Sequence, residues 1–372
     1  MELVDLLKLT VEKKASDLLI AAGVPPMLRI DGELERTKHP VVSSDEGRRL
    51  IYGILTENQK GRFERDKELD FSLSVTGLSR FRVNIHLQRG SLAAAVRRIP
   101  HDILSLEELG VPKIASKLCM LPRGLVLVTG PTGSGKSTTL AAMIDLINQE
   151  RACHIITAED PIEYLHHHKK AVVEQREIGS DTDSFAAALK YVLRQDPDVI
   201  LIGEMRDLET IAAAITAAET GHLVLATLHT TDAPSTVDRI VDVFPPYQQQ
   251  QIRMQLSTVL EGVVTQQLLP KATGHGRVVS VEIMLGTPAV QSLIREEKTH
   301  QIYATIETSA KYGMQTMDKS LEQLYRRNLI TRETALSKAR KREDMERVMG
   351  MSEGSGSGTT PANRGVASGG SR

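Results

Sequence analysis

The chain has 372 residues, enough for two domains of ordinary size, and its 46 Lys and Arg balance 47 Asp and Glu. Nucleic-acid-binding proteins need a basic surface and stacking aromatic rings, whereas this chain has five Phe and no Trp, so we expect no nucleic-acid partner. No apolar run approaches the ~20 residues of a membrane span, residues 1–14 lack a signal-peptide pattern, and the two Cys stand apart. We therefore expect a cytoplasmic protein that does not insert directly into a membrane.

Residues 1–99 predict an α+β domain that begins with an amphipathic helix and ends with two long strands. Such a domain is large enough to have a core of its own. The elements between are predicted as strands at 18–22, 27–30 and 69–75, a turn at Asp31–Gly32 and a helix over 44–63.

Residues 80–98 predict a β-hairpin with one apolar and one polar face, because apolar and polar residues alternate. If Arg89–Gly90 is the turn, Arg82 lies directly opposite Arg97. Like charges at that spacing destabilise a strand pair, and residues 72–100 include no acid to relieve them. A solvated basic face is one interpretation. The other is that the two guanidinium groups converge on an anion, the γ-phosphate of a nucleotide.

A glycine-rich loop follows an apolar strand and opens a helix. From Gly130 to Ser137 it satisfies G-x-x-x-x-G-K-[ST] at every fixed position, in the strand–loop–helix context that the motif requires. Glycines allow backbone N–H groups to turn toward phosphate oxygens, with the positive end of a helix dipole behind them. Lys136 is expected to reach the β- and γ-phosphates, and the Ser137 hydroxyl to ligate Mg²⁺. The residues predicted to bind the nucleotide are Gly130, Pro131, Thr132, Gly133, Ser134, Gly135, Lys136, Ser137 and Thr138.

The second half of the chain predicts a parallel sheet covered on both faces, because strands alternate with helices. The predicted strands are 125–128, 154–157, 198–202 and 223–227, and residues 234–268 and 288–349 are expected to be mostly helical. The tail is rich in Gly, Ser and Thr and is expected to be disordered. The predicted divisions are an N-terminal domain (1–99), a linker (100–112), a P-loop nucleotide-binding core (113–286), a helical C-terminal subdomain (287–350) and the tail (351–372).

Acidic residues follow two of these strands. One strand ends at Gly203, where a P-loop site usually has Asp, so Glu204 is left to hold Mg²⁺, directly or through water. Glu159 and Glu163 follow a neighbouring strand, and the carboxyl ends of parallel strands are where ligands bind in open α/β sheets. We favour Glu163 as the base that deprotonates the attacking water, with Glu159 as a secondary candidate. A solvated acidic loop is the alternative.

Two histidines, His222 and His229, bracket the strand at 223–227. A lone histidine there would be interpreted as part of the core. Two of them at the ends of a strand beside a phosphate-binding loop favour a γ-phosphate sensor. The run 166–168 has the composition of a metal-binding tract, but no other ligand cluster supports it, and we interpret it as surface.

These motifs stand in the order seen in secretion-superfamily motor ATPases, and the chain resembles the PilT family of type IV pilus retraction ATPases from its first helix to about Met349. The stretches that carry the resemblance are Gly130–Thr138, the acidic box 159–163, Gly-Glu-Met-Arg-Asp at 203–207, the two-histidine box 220–231 and Gly-Met-Gln-Thr-Met at 313–317.

The resemblance implies a PAS-like N-terminal domain on a RecA-like P-loop domain with a helical extension, ATP between the two, and six copies in a ring. ATP hydrolysis would extract pilin above a polytopic inner-membrane platform protein of the PilC type, at the cytoplasmic face of the membrane. A PilU-type paralogue is a candidate partner. By the resemblance, Arg82 and Arg97 match nucleotide-contacting arginines, Glu163 and Glu204 the catalytic and Walker B glutamates, and His229 the sensing histidine.

The chain also departs from its relatives. Assembly and secretion motors carry a four-cysteine zinc module, whereas residues 269–276 contain no Cys, which argues against an assembly motor. Leu19 stands where the family has His, and Ala289–Glu296 differs from the motif that PilT proteins need for retraction. The alternatives are therefore an accessory retraction motor of the PilU type, or a pilus assembly or type II secretion ATPase. A nucleic-acid motor and a non-catalytic ring are disfavoured by the neutral charge and the complete phosphate site.

Overall fold

The structure, a computed structural model, describes residues 2–30, 32–99 and 102–354. Asp31 of the predicted turn, residues 100 and 101 of the predicted linker, and the predicted disordered tail from 355 onward lie outside the described residues. Residues 351–354, which we expected to belong to that tail, continue a helix that runs from Arg342 to Gly354.

An antiparallel sheet of six strands forms the N-terminal part. Its strands are β1 Asp17–Ile20, β2 Met27–Ile30, β3 Glu33–Arg36, β4 Glu68–Val75, β5 Ser79–Gln88 and β6 Ser91–Ile99, in the order β3-β2-β1-β6-β5-β4. Helices α1 Leu3–Glu12, α2 Ser44–Tyr52 and α3 Glu57–Asp66 accompany it. The fully buried Phe81, Val83 and Ile85 of β5 share one core with Leu7 and Ile51 of the helices, so the apolar face of the hairpin is covered as predicted.

The helix predicted over 44–63 is two helices. Ser43 caps α2, with its hydroxyl accepting from Glu46 N, and the helix ends at Tyr52, with Gly53 as its C-cap. Thr56 and Gln59 then form a reciprocal capping box that starts α3. In a continuous helix these N–H groups would already be paired with carbonyl groups of the preceding turn. The cap in the middle of the predicted segment therefore marks the start of a second helix.

The register of the β5–β6 hairpin is confirmed. Gln88 faces Ser91, and Arg82 lies directly opposite Arg97. The turn residues Arg89 and Gly90 have φ values of 51° and 78°, the left-handed conformation that a type I′ hairpin turn requires at both positions.

A seven-stranded mixed sheet forms the second half. Its strands are β7 Gly124–Thr129, β8 His154–Glu159, β9 Val172–Glu177, β10 Val199–Ile202, β11 Leu223–Leu228, β12 Leu260–Pro270 and β13 Arg277–Leu285, in the order β13-β12-β7-β11-β10-β8-β9. The four predicted strands are β7, β8, β10 and β11. Within this sheet β11, β10, β8 and β9 run parallel, and β12 and β13 are antiparallel.

The prediction that 234–268 is mostly helical is wrong at its end. Helix α9, Pro246–Val259, ends there, and the following residues form β12, whose Val263, Val264 and Thr265 are fully buried. Consecutive residues of β12 are buried on both faces, so the segment lacks the alternation of a half-exposed strand and its pattern does not separate it from a buried helix. β-branched residues at the three buried positions favour the strand.

The remaining helices are α4 Ile114–Cys119, α5 Lys136–Glu150, α6 Phe185–Val192, α7 Leu208–Glu219, α8 Ala233–Asp242, α9 Pro246–Val259, α10 Pro288–Arg295, α11 Ile302–Thr308, α12 Met317–Arg326, α13 Arg332–Lys338 and α14 Arg342–Gly354. Asp207, Asp232 and Thr316 cap α7, α8 and α12 with their side chains. Among the described residues no helix has both the length and the apolar character needed to cross a membrane.

The chain divides into two compact units. One comprises the residues up to Glu108 together with Ala115–Val126 and Ser137–Thr227; the other comprises Leu109–Ile114, Leu127–Lys136 and the residues from Leu228 onward. The division passes through β7 and through the first turn of α5, so the glycine-rich loop belongs to the second unit. The boundaries proposed from the sequence remain a prediction.

Glu282 on β13 is a buried carboxylate between two helix starts. It is 1% exposed. Its Oε1 accepts from Ala233 N of α8 at 2.8 Å, and its Oε2 from Met317 N of α12 at 3.4 Å. Burial raises its pKa to about 7, against the opposing effect of these two N–H groups.

This shift predicts a pH-dependent stability. The unfolded chain ionises Glu282 near its ordinary pKa of about 4.3. Between about pH 4.5 and 7 the folded chain therefore binds more protons, and stability falls as the pH rises, by roughly 3 to 4 kcal/mol in total. Glu282→Gln cannot ionise and so escapes this loss of stability. The urea midpoint of the variant minus that of wild type should therefore be larger at pH 8 than at pH 5. Glu333→Gln, at an exposed site, should show a constant difference. Parallel curves for Glu282→Gln and wild type would contradict the shift.

Candidate active site

The glycine-rich loop packs against the middle of β12. Gly130 has φ +139°, and a Cβ there would collide with the carbonyl oxygen of Gln266 and lie 2.7 Å from Ser134 Oγ. The Gln266 side chain donates Nε2 to the carbonyl of Ser134 at 2.8 Å. Thr129 Oγ1 and Thr265 Oγ1 lie 2.8 Å apart. Contacts with a buried strand therefore fix the shape of the loop.

Lys136 begins α5, and its side chain is almost buried, at 9% exposed. Its Nζ donates to the carbonyl oxygens of Gly130 at 2.9 Å and Pro131 at 3.2 Å. The loop leads into the N-terminus of a helix of 15 residues, which carries unsatisfied N–H groups and the positive end of the dipole. An ammonium group and a helix N-terminus on one folded loop form an anion site suited to phosphate.

The strands β8, β10 and β11 end side by side. Gly203 N donates to Ala158 O at 2.8 Å, and Thr227 Oγ1 donates to Gly203 O at 2.5 Å. A Cβ at Gly203 would lie 3.3 Å from both Ala158 O and Glu159 Cα, which leaves little room for a side chain in this close-packed edge. The packing thus accounts for glycine at this position and leaves Glu204 as the acid at the end of β10.

Glu204 makes an ion pair with Arg206, whose Nε lies 2.6 Å from Glu204 Oε1. This contact raises the pKa of Arg206. In the part of the chain that the structure describes, no three His, Cys, Asp or Glu side chains are grouped to hold a metal ion. The run 166–168 is therefore not part of such a group. His166 in particular is half-buried, and loss of water around its ring lowers its pKa to about 4.

The two acids after β8 have different surroundings. Glu159 Oε1 accepts from Thr157 Oγ1 at 2.7 Å and from Gln175 Nε2 at 3.0 Å. Burial raises the pKa of Glu159, and these hydrogen bonds oppose the increase. Glu163 is exposed and makes no side-chain hydrogen bond or ion pair with another described residue. Glu159 is therefore anchored in the loop, and Glu163 is accessible.

Two side chains that the sequence did not single out hold this acidic loop. Gln175 Nε2 donates to the carbonyl of Tyr164 at 2.8 Å, and the Tyr164 hydroxyl lies 2.9 Å from Thr138 Oγ1 on α5. Tyr164 directly follows Glu163, so these contacts tie the candidate base to the helix that begins at the phosphate loop. Neither residue belongs to a local motif, and no spacing rule would have found them.

The structure places the two histidines at opposite ends of β11. His222 Nδ1 lies 2.9 Å from Ala217 O and 3.2 Å from Thr220 Oγ1, so it caps the carboxyl end of α7. The structure does not bring His222 to the carboxyl edge of the sheet, and we replace its predicted role as a sensor with this structural one. His229 directly follows β11 and is exposed.

Arg82 and Arg97 face each other in different surroundings. Arg97 Nε donates to Asp17 Oδ1 at 2.8 Å, and Asp17 is the residue paired with Arg97 on β1. The hairpin has no acid of its own to relieve the repulsion between the two arginines, and Asp17 on β1 supplies one. Arg82 is exposed, and its side chain forms no hydrogen bond or ion pair with the rest of the described chain. Of the two guanidinium groups, that of Arg82 is the more available to an anion.

A comparison of this sequence with protein families identifies its group. The family described as "Type II/IV secretion system protein" matches residues 9–357. The chain belongs to this family. One relative, the Pseudomonas aeruginosa protein named "Type IV pilus retractation ATPase PilT", is 50% identical over 340 residues, which cover 91% of this chain and 98% of that protein. Another from the same organism, "Type IV pilus ATPase PilU", is 45% identical over 345 residues, 93% of this chain and 90% of that protein.

A solved structure has the same fold. It is described as "Crystal Structure of the Pilus Retraction Motor PilT and Bound ADP", aligns with a TM-score of 0.88 at 47% identity, and covers 93% of this chain and 99% of its own. The predicted fold class is confirmed: an α+β N-terminal part precedes a RecA-like α/β part with a helical C-terminal extension.

The packing of the loop on β12 predicts that two of its glycines differ in importance. Gly130→Ala would place a methyl group against Gln266 O, whereas the Cβ of Gly133→Ala meets nothing within 4 Å, although both glycines have positive φ. We expect Gly130→Ala to weaken binding of a fluorescent ATP analogue by about a hundredfold or more. Gly133→Ala should weaken binding by about tenfold or less, because its only cost is backbone strain of order 1–3 kcal/mol, part of which the rest of the protein takes up. Equal losses in a titration would show that the contact with Gln266 is unimportant.

Proposed function

We propose that this chain is a motor ATPase that hydrolyses ATP to drive retraction of type IV pili, and thereby twitching motility. The observation that carries this proposal is a complete phosphate-binding loop, held on β12, in a chain that matches a pilus retraction ATPase over nine-tenths of both lengths. A similar structure described as a pilus retraction motor holds ADP.

The loop Gly130–Thr138 binds the nucleotide phosphates. Backbone N–H groups of the loop and of the first turn of α5 donate to the phosphate oxygens. Lys136 Nζ, which donates to carbonyl oxygens of its own loop, exchanges these acceptors for β- and γ-phosphate oxygens, which carry full negative charge and bind an ammonium more strongly.

The residues present fit a Mg²⁺ ion that binds together with ATP. Mg²⁺ retains several waters and is bound by one or two protein groups plus phosphate oxygens. It therefore does not need a cluster of three or more protein ligands, and the described residues contain no such cluster. Ser137 and Glu204, the latter directly or through water, would hold the ion. When bound, Mg²⁺ neutralises charge on the β- and γ-phosphate oxygens.

Glu163 is the general base in this proposal, because its accessible carboxylate can accept a proton from the attacking water. Glu159 fixes the loop that carries it. Arg82 stabilises the charge on the transferred phosphoryl group, with Arg97 in a secondary role because Asp17 already engages it. His229 reports the presence of the γ-phosphate.

The assembly proposed for the chain is a homohexameric ring beneath an inner-membrane platform protein of the PilC type. This places it at the cytoplasmic face of the membrane at the pilus base. The similarity to a protein named for pilus retraction supports this arrangement.

An accessory motor of the PilU type is the second candidate. Its support is the 45% identity to a PilU protein over nine-tenths of both chains, together with the altered segment Ala289–Glu296, most of which forms α10. Such a motor would hydrolyse ATP by the same groups and assist another ring.

The asymmetry of the two arginines predicts unequal effects on turnover. Arg82→Ala should lower kcat for ATP by about a hundredfold or more, as expected when a cation loses contact with transition-state charge. Arg97→Ala should lower kcat less, because Asp17 shares its charge. Arg89→Ala, at the exposed turn of the same hairpin, is the matched control and should retain wild-type kcat in a phosphate-release assay. An unchanged kcat in Arg82→Ala would exclude Arg82 from the site.

Deletion of the gene in the parent organism tests the direction of the motor. Surface pili should persist and fail to retract, and twitching should be lost, as seen by microscopy of labelled pili. Wild-type protein should restore retraction, whereas Lys136→Ala, which removes the phosphate-binding ammonium, should not. Loss of surface pili would instead indicate an assembly motor. Partial retraction in the deletion strain would favour the accessory PilU-type role.

A further inference from the structure

The carboxylate of Glu177, which lies outside the proposed set of reacting groups, joins three segments of the first unit. It stands at the end of β9 and is 6% exposed. Its Oε2 accepts from Ser72 Oγ of β4 at 2.8 Å, from Arg80 Nη2 of β5 at 2.7 Å and from Ile162 N of the acidic loop at 3.2 Å. One oxygen atom therefore connects the N-terminal sheet to the loop that follows β8.

Two of these donors are immediate neighbours of Arg82. Ser72 is directly opposite Arg82 on β4, and Arg80 precedes it by two residues on the same face of β5, because side chains alternate along a strand. The third donor, Ile162, is bonded to Glu163. The contacts of Glu177 thus flank the proposed phosphate-contacting arginine on one side and the proposed base on the other.

The strength of these contacts makes the connection stiff. The Arg80 and Glu177 side chains are only 18% and 7% exposed. Hydrogen bonds between ionised groups are short and strong at such low exposure, and removal of either partner would leave a buried unpaired charge. A change in the position of β5 is therefore transmitted to the acidic loop.

We propose that Glu177 is a positioning residue that sets Arg82 relative to Glu163 during ATP hydrolysis. This inference rests on the proposed roles of those two residues. The phosphate loop is fixed separately by Gln266, so the loss of Glu177 should slow the chemical step and leave nucleotide affinity nearly unchanged. Misplacement of a reacting group by about 1 Å can cost a hundredfold in rate.

The test is a double-mutant cycle on the full chain, with kcat and KM for ATP from phosphate release. Glu177→Gln should lower kcat by about tenfold or more, with KM within about threefold of wild type. Because Glu177 acts through Arg82, adding Glu177→Gln to Arg82→Ala should lower kcat by no more than about twofold further. Glu174→Gln, at an exposed site on the same strand, is the control and should retain wild-type kcat.

Three results would overturn the inference. The first is a wild-type kcat in Glu177→Gln while Arg82→Ala is inactive. The second is a double variant whose loss of kcat is the product of the two single losses. The third is a rise in KM for ATP without a fall in kcat. A wild-type kcat in Arg82→Ala would instead overturn the proposed site itself, and this inference with it.

A paired variant separates positioning from stability if Glu177→Gln folds poorly. Arg80→Met combined with Glu177→Met removes both buried charges, a replacement that is often neutral or stabilising. The urea midpoint should then return close to that of wild type while kcat stays low. Recovery of kcat together with stability would show that Glu177 serves the fold alone and would overturn the inference.

Discussion

The approach of the backbone at Gly130 to the carbonyl of Gln266 is the constraint on which the phosphate site depends. A side chain at Gly130 would collide with that carbonyl, so only glycine permits the loop to lie on β12. Once the loop lies there, Gln266 can donate to Ser134, and the chain enters α5 with Lys136 folded over its own loop. The phosphate site is thus as rigid as the buried strand beneath it.

Three carboxylates with little exposure hold segments of the chain together, and each has its own donors. Glu159 accepts from side chains next to the acidic loop, Glu177 from the N-terminal sheet and the acidic loop, and Glu282 from N–H groups at the starts of two helices. A buried carboxylate without such donors would be costly. These acids therefore hold segments together, whereas the exposed Glu163 is the one able to exchange a proton with water. Position along the sequence did not separate these two kinds of acid.

The row of arginines on the N-terminal sheet shows how charge is distributed across strands. Arg80 is matched by Glu177, Arg97 by Asp17, and Arg82 between them by no described acid. A cation with both neighbours compensated and its own charge unmatched is suited to a ligand that supplies the negative charge. The charge pattern thus favours Arg82 over Arg97 as the residue that responds to the nucleotide.

The sequence alone determined the phosphate loop, the four central strands and the hairpin register, because each depends on residues close in the chain. A two-residue turn, for example, sets which residues face each other across a hairpin. Tertiary structure alone decided that 260–270 is a strand and that His222 caps a helix. It also decided that Asp17 pairs with Arg97 and that Glu177 pairs with Arg80, in each case across a long separation in the sequence. A segment buried on both faces loses the alternation that marks a strand, and contacts between distant residues leave no spacing in the sequence from which they could be read.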